Sequence, residues 1–331
     1  MRPAEFVFRT MLLAVTALMV NPIAVAQHFE STQASTRFEI NDSTFGSGSC
    51  ESSSSNCGSY CSPCQSWNVG ERTFFMGLDG SKQPQDFGAN AHLGMQTHFA
   101  WSGPLIPELG IGYQVGGGIT AAANAVQVFE LLGENSGRFQ AFSTAGLFRR
   151  FDNGFAIGAV WDYQYQESFA NFSLNQFRIG ASQFLGDRDQ IGLTAILPSS
   201  DATAVFNATT VNLDPIAQGR LFWRRFWDTG TQTTIWGGLA EGHSEENVLT
   251  GPGSPKDEVL LFGADILAPL NNFVAVYGEA NLMMPPDTGG VDAFLGLQFY
   301  RGGGVASARR RQWSPVLPVA SNSSFTVDLN R

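Results

Sequence analysis

The side chains best suited to chemistry are four cysteines in one short stretch, Cys50, Cys57, Cys61 and Cys64. Four cysteines in an exported segment most simply form two disulfides, whose pairing the sequence leaves open. The Cys61-Ser-Pro-Cys64 spacing also occurs in redox motifs and zinc knuckles, so a metal site is the alternative. A haem attachment motif is excluded because Gln65 stands where histidine would be needed. We expect disulfides at these positions.

A second set of reactive side chains lies on the polar face of stretches that alternate polar and apolar residues. If these stretches close into a membrane barrel, charged groups belong inside it, where they line water or pair with one another. They would form either a constriction that selects solutes by charge or a salt-bridged filling that closes the lumen. The set comprises Asp162, Arg178, Arg220, Arg224, Asp265, Glu279 and Asp292.

Histidines and serines give little support for catalysis. His92, His98 and His243 show no spacing to a serine and an acid that indicates a triad on adjacent strands. We therefore predict that the protein is not an enzyme and uses no cofactor. A hydrolase built on the barrel wall is the less favoured alternative.

The elements that would position these side chains begin after an export signal. Two arginines precede an apolar core from Met11 to Val20, and the small residues Ala24-Val25-Ala26 follow. This pattern is typical of a secretory signal peptide, with cleavage expected after Ala26. Later stretches lack the ~18 consecutive apolar residues of a membrane helix, so residence in a membrane would be through strands.

Composition agrees with an outer-membrane barrel, although a soluble β-sandwich could share it. The 37 glycines and 27 phenylalanines fit strands that are apolar on one face and polar on the other. The formal net charge of −10 argues against nucleic acid as a partner.

About twelve strand-like stretches follow between residues 71 and 301. Their connections alternate between tight turns and longer segments, as in an up-and-down barrel. The predicted tight turns are Ser102 to Pro107, Asp152 to Gly154, Gly186 to Asp189, Asp228 to Gly230 and Pro269 to Asn272. The longer segments are 80–89, 121–136, 198–216, 242–257 and 284–290, with 167–170 as a short exception. Short turns on the periplasmic side would place both termini in the periplasm and require an even number of strands.

The sequence thus predicts an all-β protein, a closed up-and-down antiparallel transmembrane β-barrel of about 12 strands spanning residues 71–301. Residues 27–70 form a flexible, Ser-rich arm that carries the cysteines. Residues 302–331 are predicted to form a periplasmic tail, for which a solvated, disordered end is the favoured interpretation. Its three arginines could bind anionic lipid headgroups or an acidic wall component, and its apolar stretches could add short strands or enter the lumen. Ala121 to Leu132 has helical spacing and would form a helix on the rim or, alternatively, a lid or plug.

Five distinctive strings occur along the chain, at 77–88, 168–178, 262–265, 291–296 and 315–319. They resemble an uncharacterised family of secreted planctomycete proteins. The resemblance covers roughly residues 70–331 and implies an outer-membrane-like barrel, with no assigned activity to carry over.

These features predict an outer-membrane protein in contact with outer-membrane lipid, the barrel-assembly machinery and envelope components. A narrow passive channel for small solutes is the leading hypothesis for its function. A structural or surface-interaction barrel without transport is the alternative.

Overall fold

The structure is a computed structural model that describes residues 70–82, 91–124, 137–168, 170–206, 209–242, 258–284 and 290–330. The predicted signal peptide, the cysteine arm and His243 lie outside these residues. None of the helices in the described ranges is long and apolar enough to cross a bilayer.

Fifteen strands account for most of the described chain. The first seven are β1 (Arg72–Lys82), β2 (His92–Ile106), β3 (Ile111–Asn124), β4 (Arg138–Arg150), β5 (Phe155–Glu167), β6 (Asn171–Leu185) and β7 (Asp189–Ser200). The others are β8 (Ala202–Phe206), β9 (Thr209–Pro215), β10 (Gln218–Phe226), β11 (Gln232–Glu241), β12 (Glu258–Pro269), β13 (Val274–Met284), β14 (Val291–Tyr300) and β15 (Val327–Asn330).

Twelve of these strands close into an antiparallel barrel in the order β1-β14-β13-β12-β11-β10-β7-β6-β5-β4-β3-β2. The first and last barrel strands pair along their whole lengths, from Thr73 opposite Tyr300 to Lys82 opposite Val291. Closure leaves no barrel strand with an unpaired edge. The predicted fold class, including the even strand number, is confirmed.

Five tight turns, between β2–β3, β4–β5, β6–β7, β10–β11 and β12–β13, lie at one end of the barrel, which we call the short-turn end. Gly154 and Gly230 close two of these turns at φ values of +82° and +79°, in the left-handed region that glycine adopts without strain. The first turn differs from its prediction, because β2 continues to Ile106 and the chain reverses at Pro107–Gly110. A one-turn 3-10 helix with proline at its start makes this reversal.

The opposite end, which we call the long-loop end, carries a hairpin within residues 198–216, where the sequence predicts a loop. β8 and β9 pair with each other between β7 and β10. β15 pairs with the other edge of β9, so three short strands form a second sheet. The predicted helix at 121–132 is wrong over its first turn, since Ala121 to Asn124 belong to β3; its remainder lies outside the described residues.

Side chains of each barrel strand point alternately inward and outward, so the inner and outer surfaces of the barrel differ in polarity. In β5 the buried residues Val160, Asp162 and Gln164 point inward, and Trp161 and Tyr163 point outward. Large apolar side chains dominate the outer wall, where Leu221 is 64% and Leu78 61% exposed. An exposed apolar surface that encircles a closed barrel fits the hydrocarbon core of a membrane.

Candidate functional site

The lumen of the barrel is occupied by the C-terminal tail. After β14 the chain turns at Gly303 and Gly304, both in the left-handed region. Gly304 donates to Asn272 Oδ1 at 2.8 Å, which anchors the tail to the turn between β12 and β13. Val305 and Ala308 then pack, fully buried, among the aromatic side chains of the inner wall at the short-turn end.

Wall side chains hold the tail by donating hydrogen bonds to its backbone carbonyls. Gln232 Nε2 donates to Ala308 O at 2.9 Å, and Gln114 Nε2 donates to Leu317 O at 2.9 Å. Arg150 donates to the carbonyls of Ser314 and Pro315 at 3.1 and 3.2 Å. These carbonyls would otherwise be buried without partners, at a cost of ~1–3 kcal/mol each.

Glycines of the inner wall provide the space for the tail. A Cβ atom added at Gly180 would lie 2.9 Å from Leu317 Cδ2, and one at Gly158 would lie 3.2 Å from Val316 Cβ. A Cβ at Gly116 would lie 2.4 Å from Val319 Cγ2. The tail therefore fills the room that small residues leave inside this narrow barrel.

The tail ends in the second sheet at the long-loop end. Val327 lies opposite Pro215 and Leu329 opposite Leu213 in the β15–β9 ladder. Residues 320–329 are all buried. Their apolar members join side chains of the inner wall and of the β8–β9 hairpin in one cluster, which contains Phe142, Phe172, Leu174, Ala204, Leu213, Ala320, Phe325 and Val327.

This course corrects the expectation that the tail stays on the short-turn side of the barrel. The tail crosses the lumen, and its last strand lies at the long-loop end. The tail enters the lumen because its apolar side chains pack there and its backbone carbonyls accept hydrogen bonds from side chains of the wall. The alternative in which the tail adds a strand and enters the lumen is the arrangement seen here.

The arginines of the tail contact protein groups, whereas the sequence favoured a solvated end and left open a contact with lipid headgroups or an acidic wall component. Arg309 forms an ion pair with Asp265 at 2.8 Å, from a backbone φ of +65°. The Arg310 guanidinium lies 4.2 Å from the centroid of the Phe226 ring and donates to the carbonyl of Asp187 at the rim. Partial burial lowers the pKa of Arg310, and Asp187 opposes that shift.

All seven charged side chains singled out in the sequence lie on the inner wall, and two of them pair with each other. Arg178 forms a two-pronged ion pair with Asp162 and donates to the tail carbonyl of Pro318 at 2.7 Å. Thr144 completes the set by donating to Asp162 Oδ1 at 2.7 Å. Because both charges are almost fully buried, this pair ties β5, β6 and the tail together.

The remaining charged side chains of that set also face the tail or polar groups of the wall. Arg220 donates to the carbonyl of Ser323, whose hydroxyl donates to Glu279. Arg224 donates to Gln190 and Thr234 at 2.9 Å each. Asp292 is buried on the inner face of β14.

Sequence reasoning missed other charged residues that hold the tail, notably Glu71 and Arg150. Glu71 accepts a hydrogen bond from the Ser314 hydroxyl, and its carboxylate lies 3.9 Å from Arg311 Nε. Arg150 occupies the inward-facing phase of β4, so the alternation along that strand could have identified it.

A cavity of about 110 Å³ remains between the tail and the wall, lined by residues of β1–β4, β10 and β12–β14. Its volume suits a small cluster of water molecules. Both signs of charge line it, including Arg224, Asp265, Glu279 and Arg309.

The two histidines that the structure describes, His92 and His98, lie on the inner wall and not on the lipid-facing one. His92 is buried on the inner face of β2, and His98 stacks on Phe75 with a ring separation of 4.6 Å. In the part of the chain that the structure describes, no group of three or more His, Cys, Asp or Glu residues could hold a metal ion.

The family model of a family of unknown function, DUF6666, matches residues 71–327 and so includes both the barrel and the tail. The chain belongs to this family. The match confirms the predicted resemblance to an uncharacterised family, whereas planctomycete origin stays a prediction. No curated protein matches the DUF6666 chain.

Solved structures with some likeness to this DUF6666 member include the KdgM porin, at 8% identity and a TM-score of 0.40, covering 68% of this chain and 98% of that one. The toluene transporter TbuX of Ralstonia pickettii has 11% identity and a TM-score of 0.40, covering 70% and 89% of the two chains. Outer membrane phospholipase A of Escherichia coli has 9% identity and a TM-score of 0.37, covering 69% and 95%. Because these TM-scores are below 0.5, the likenesses carry no argument about function.

Proposed function

We propose that this protein is an outer-membrane barrel that its own C-terminal tail keeps closed, and that it serves as a structural or surface-interacting component of the envelope. The observation that carries this proposal is the course of the tail. Wall residues from β3, β4, β6, β10 and β11 donate hydrogen bonds to tail carbonyls between Ala308 and Ser323. A passive channel would need an open path where these contacts lie.

The apolar outer wall supports the placement in a membrane. Bacterial outer-membrane barrels have short periplasmic turns and longer external loops, so the short-turn end would face the periplasm. The sheet made by β8, β9 and β15 would then face the cell exterior, where envelope components could reach it.

Passage of small solutes after displacement of the tail is the second candidate function. The polar inner wall favours it, because side chains such as Gln114, Arg150 and Gln232 could bind water once the tail carbonyls left. The charged cavity beside the tail would be the starting point of such a path.

The proposal is tested by measuring the conductance of planar bilayers that contain either the full chain or a variant that ends at Gly302. We expect no conductance steps from the full chain and stable steps from the truncated one. Heat-modifiable migration on a gel confirms that each barrel is folded. Persistent steps from the folded full chain would contradict a closed barrel.

A second variant keeps the length of the tail and removes its packing, in case truncation prevents folding. It replaces the three apolar residues that face wall glycines, Val316, Leu317 and Val319, with serine. Brief voltage-dependent openings of the full chain, made longer in this variant, would favour gated passage over a purely structural role.

A further inference from the structure

Two arginines lie side by side on the outer wall at the short-turn end. Arg72 begins β1 and Arg301 follows β14, and Arg301 N donates to Arg72 O at 3.1 Å across the strand pair that closes the barrel. Both are in the outward-facing phase, since their neighbours Thr73 and Tyr300 are buried in the lumen. Two like charges directly across a ladder destabilise it unless an anion compensates them.

Neither arginine forms an ion pair with any residue in the described ranges. The Arg72 guanidinium lies 4.8 Å from the centroid of the Trp101 ring, and its Nε atom is buried without a hydrogen-bond partner. Glu71 lies near both arginines, but its carboxylate accepts a hydrogen bond from Ser314 and lies 3.9 Å from Arg311 Nε instead of pairing with them. Other buried side-chain atoms of the described residues, such as Gln218 Nε2, also lack a partner, so the two neighbouring positive charges indicate an anionic ligand more strongly than this atom does.

An apolar groove continues from the two arginines along the outer wall. It has a volume of about 620 Å³ and is lined mainly by aromatic side chains. Phe74 lies opposite both Phe99 and Phe299, and the rings of Phe74 and Phe299 are 6.3 Å apart. Phe273 from the turn between β12 and β13 completes the groove.

On the same rim, the charge of another outward-pointing arginine is neutralised by an aspartate. Arg225 also points outward at the end of its strand, and it forms an ion pair with Asp189 at 2.7 Å. Arg72 and Arg301 have no such carboxylate partner in the described residues, and the groove beside them is apolar. A headgroup with an attached acyl chain matches both features, whereas a free anion matches only the first.

We propose that this groove binds an anionic phospholipid, with its phosphate between Arg72 and Arg301 and an acyl chain along the phenylalanines. This inference rests on the membrane placement proposed above and is independent of whether the lumen is closed. The short-turn end would lie in the periplasmic leaflet, where phospholipid headgroups meet the rim.

Native mass spectrometry of the full chain in detergent tests this site, with phosphatidylglycerol and phosphatidylcholine supplied in equal amounts. We expect phosphatidylglycerol to be retained preferentially, and its affinity to fall by about tenfold or more in R72Q/R301Q. The matched control R225Q removes a rim arginine that already has a partner, so it should retain the lipid as the wild type does. R301Q alone, at an exposed position, serves if the double variant fails to fold.

Equal retention of the two lipids, or undiminished retention by folded R72Q/R301Q, would overturn the site. Full displacement of the lipid by millimolar inorganic phosphate would indicate a free-anion site and overturn it as well. Lipid-independent dimers cross-linked through Phe99→Cys would show that a second copy covers the groove. Any of these results leaves the conductance prediction untouched, so the two proposals can fail separately.

Discussion

Two aspartate–arginine pairs, one on each wall of the barrel, show how differently the two faces treat charge. Asp162 and Arg178 lie in the lumen with side chains 0% and 4% exposed, and Thr144, Gln176 and the tail surround them. Asp189 and Arg225 lie on the outer rim with side chains 24% and 31% exposed. The inner pair is part of a packed interior. On the rim, water or lipid headgroups can take the place of either partner of the outer pair.

Removing one partner from each pair should give the largest contrast between the walls. Asp162→Asn leaves a buried guanidinium without its counter-ion, so we expect the free energy of unfolding to fall by about 3–5 kcal/mol. Asp189→Asn should cost ~0–1 kcal/mol, since its pair is partly solvated. Urea titration in detergent micelles, followed by tryptophan fluorescence, measures both values. Similar losses in the two variants would mean that the lumen is more hydrated than the packing indicates.

Truncating one phenylalanine on each side should give the next contrast. Phe325→Ala removes a fully buried tail side chain, and the cavity left behind should cost about 3 kcal/mol. Phe177→Ala alters the outer wall of β6, where lipid chains can close over the gap, and should cost about 1 kcal/mol. The same titration applies. A negligible loss for Phe325→Ala would show that the tail does not stay packed in the lumen.

Adding side chains to glycines should give the smallest contrast in stability and the most direct readout of closure. Gly180→Val pushes against Leu317 and should cost about 1–3 kcal/mol while introducing brief conductance steps. At Gly237, on the outer wall, an added Cβ meets atoms no closer than 3.9 Å, so Gly237→Val should change stability by about 0.5 kcal/mol or less. If Gly180→Val remains silent in bilayers and as stable as the wild type, the tail does not fill the space beside Gly180.

Local patterns were enough to predict the barrel wall. Period-2 alternation in stretches such as 155–165 identifies the strand and both of its faces, because successive side chains point to opposite sides. Asp-Asn-Gly154 and Asp-Thr-Gly230 mark tight turns, because glycine adopts the left-handed conformation these turns need. The β8–β9 hairpin escaped prediction because its strands are short and are stabilised by β15, which lies more than 100 residues further along the chain.

The sequence by itself determined that the chain forms strands with one apolar and one polar face, and that about twelve of them can close. It also placed seven charged residues on the polar face through their positions in the alternation. Only the tertiary structure decided what meets that face. Whether a polar wall borders water or a segment of the same chain depends on contacts between distant residues, such as Asp265 with Arg309 and Gly180 with Leu317. Such contacts leave no periodic signal in the sequence, so the closure of the lumen appears only when the chain is folded.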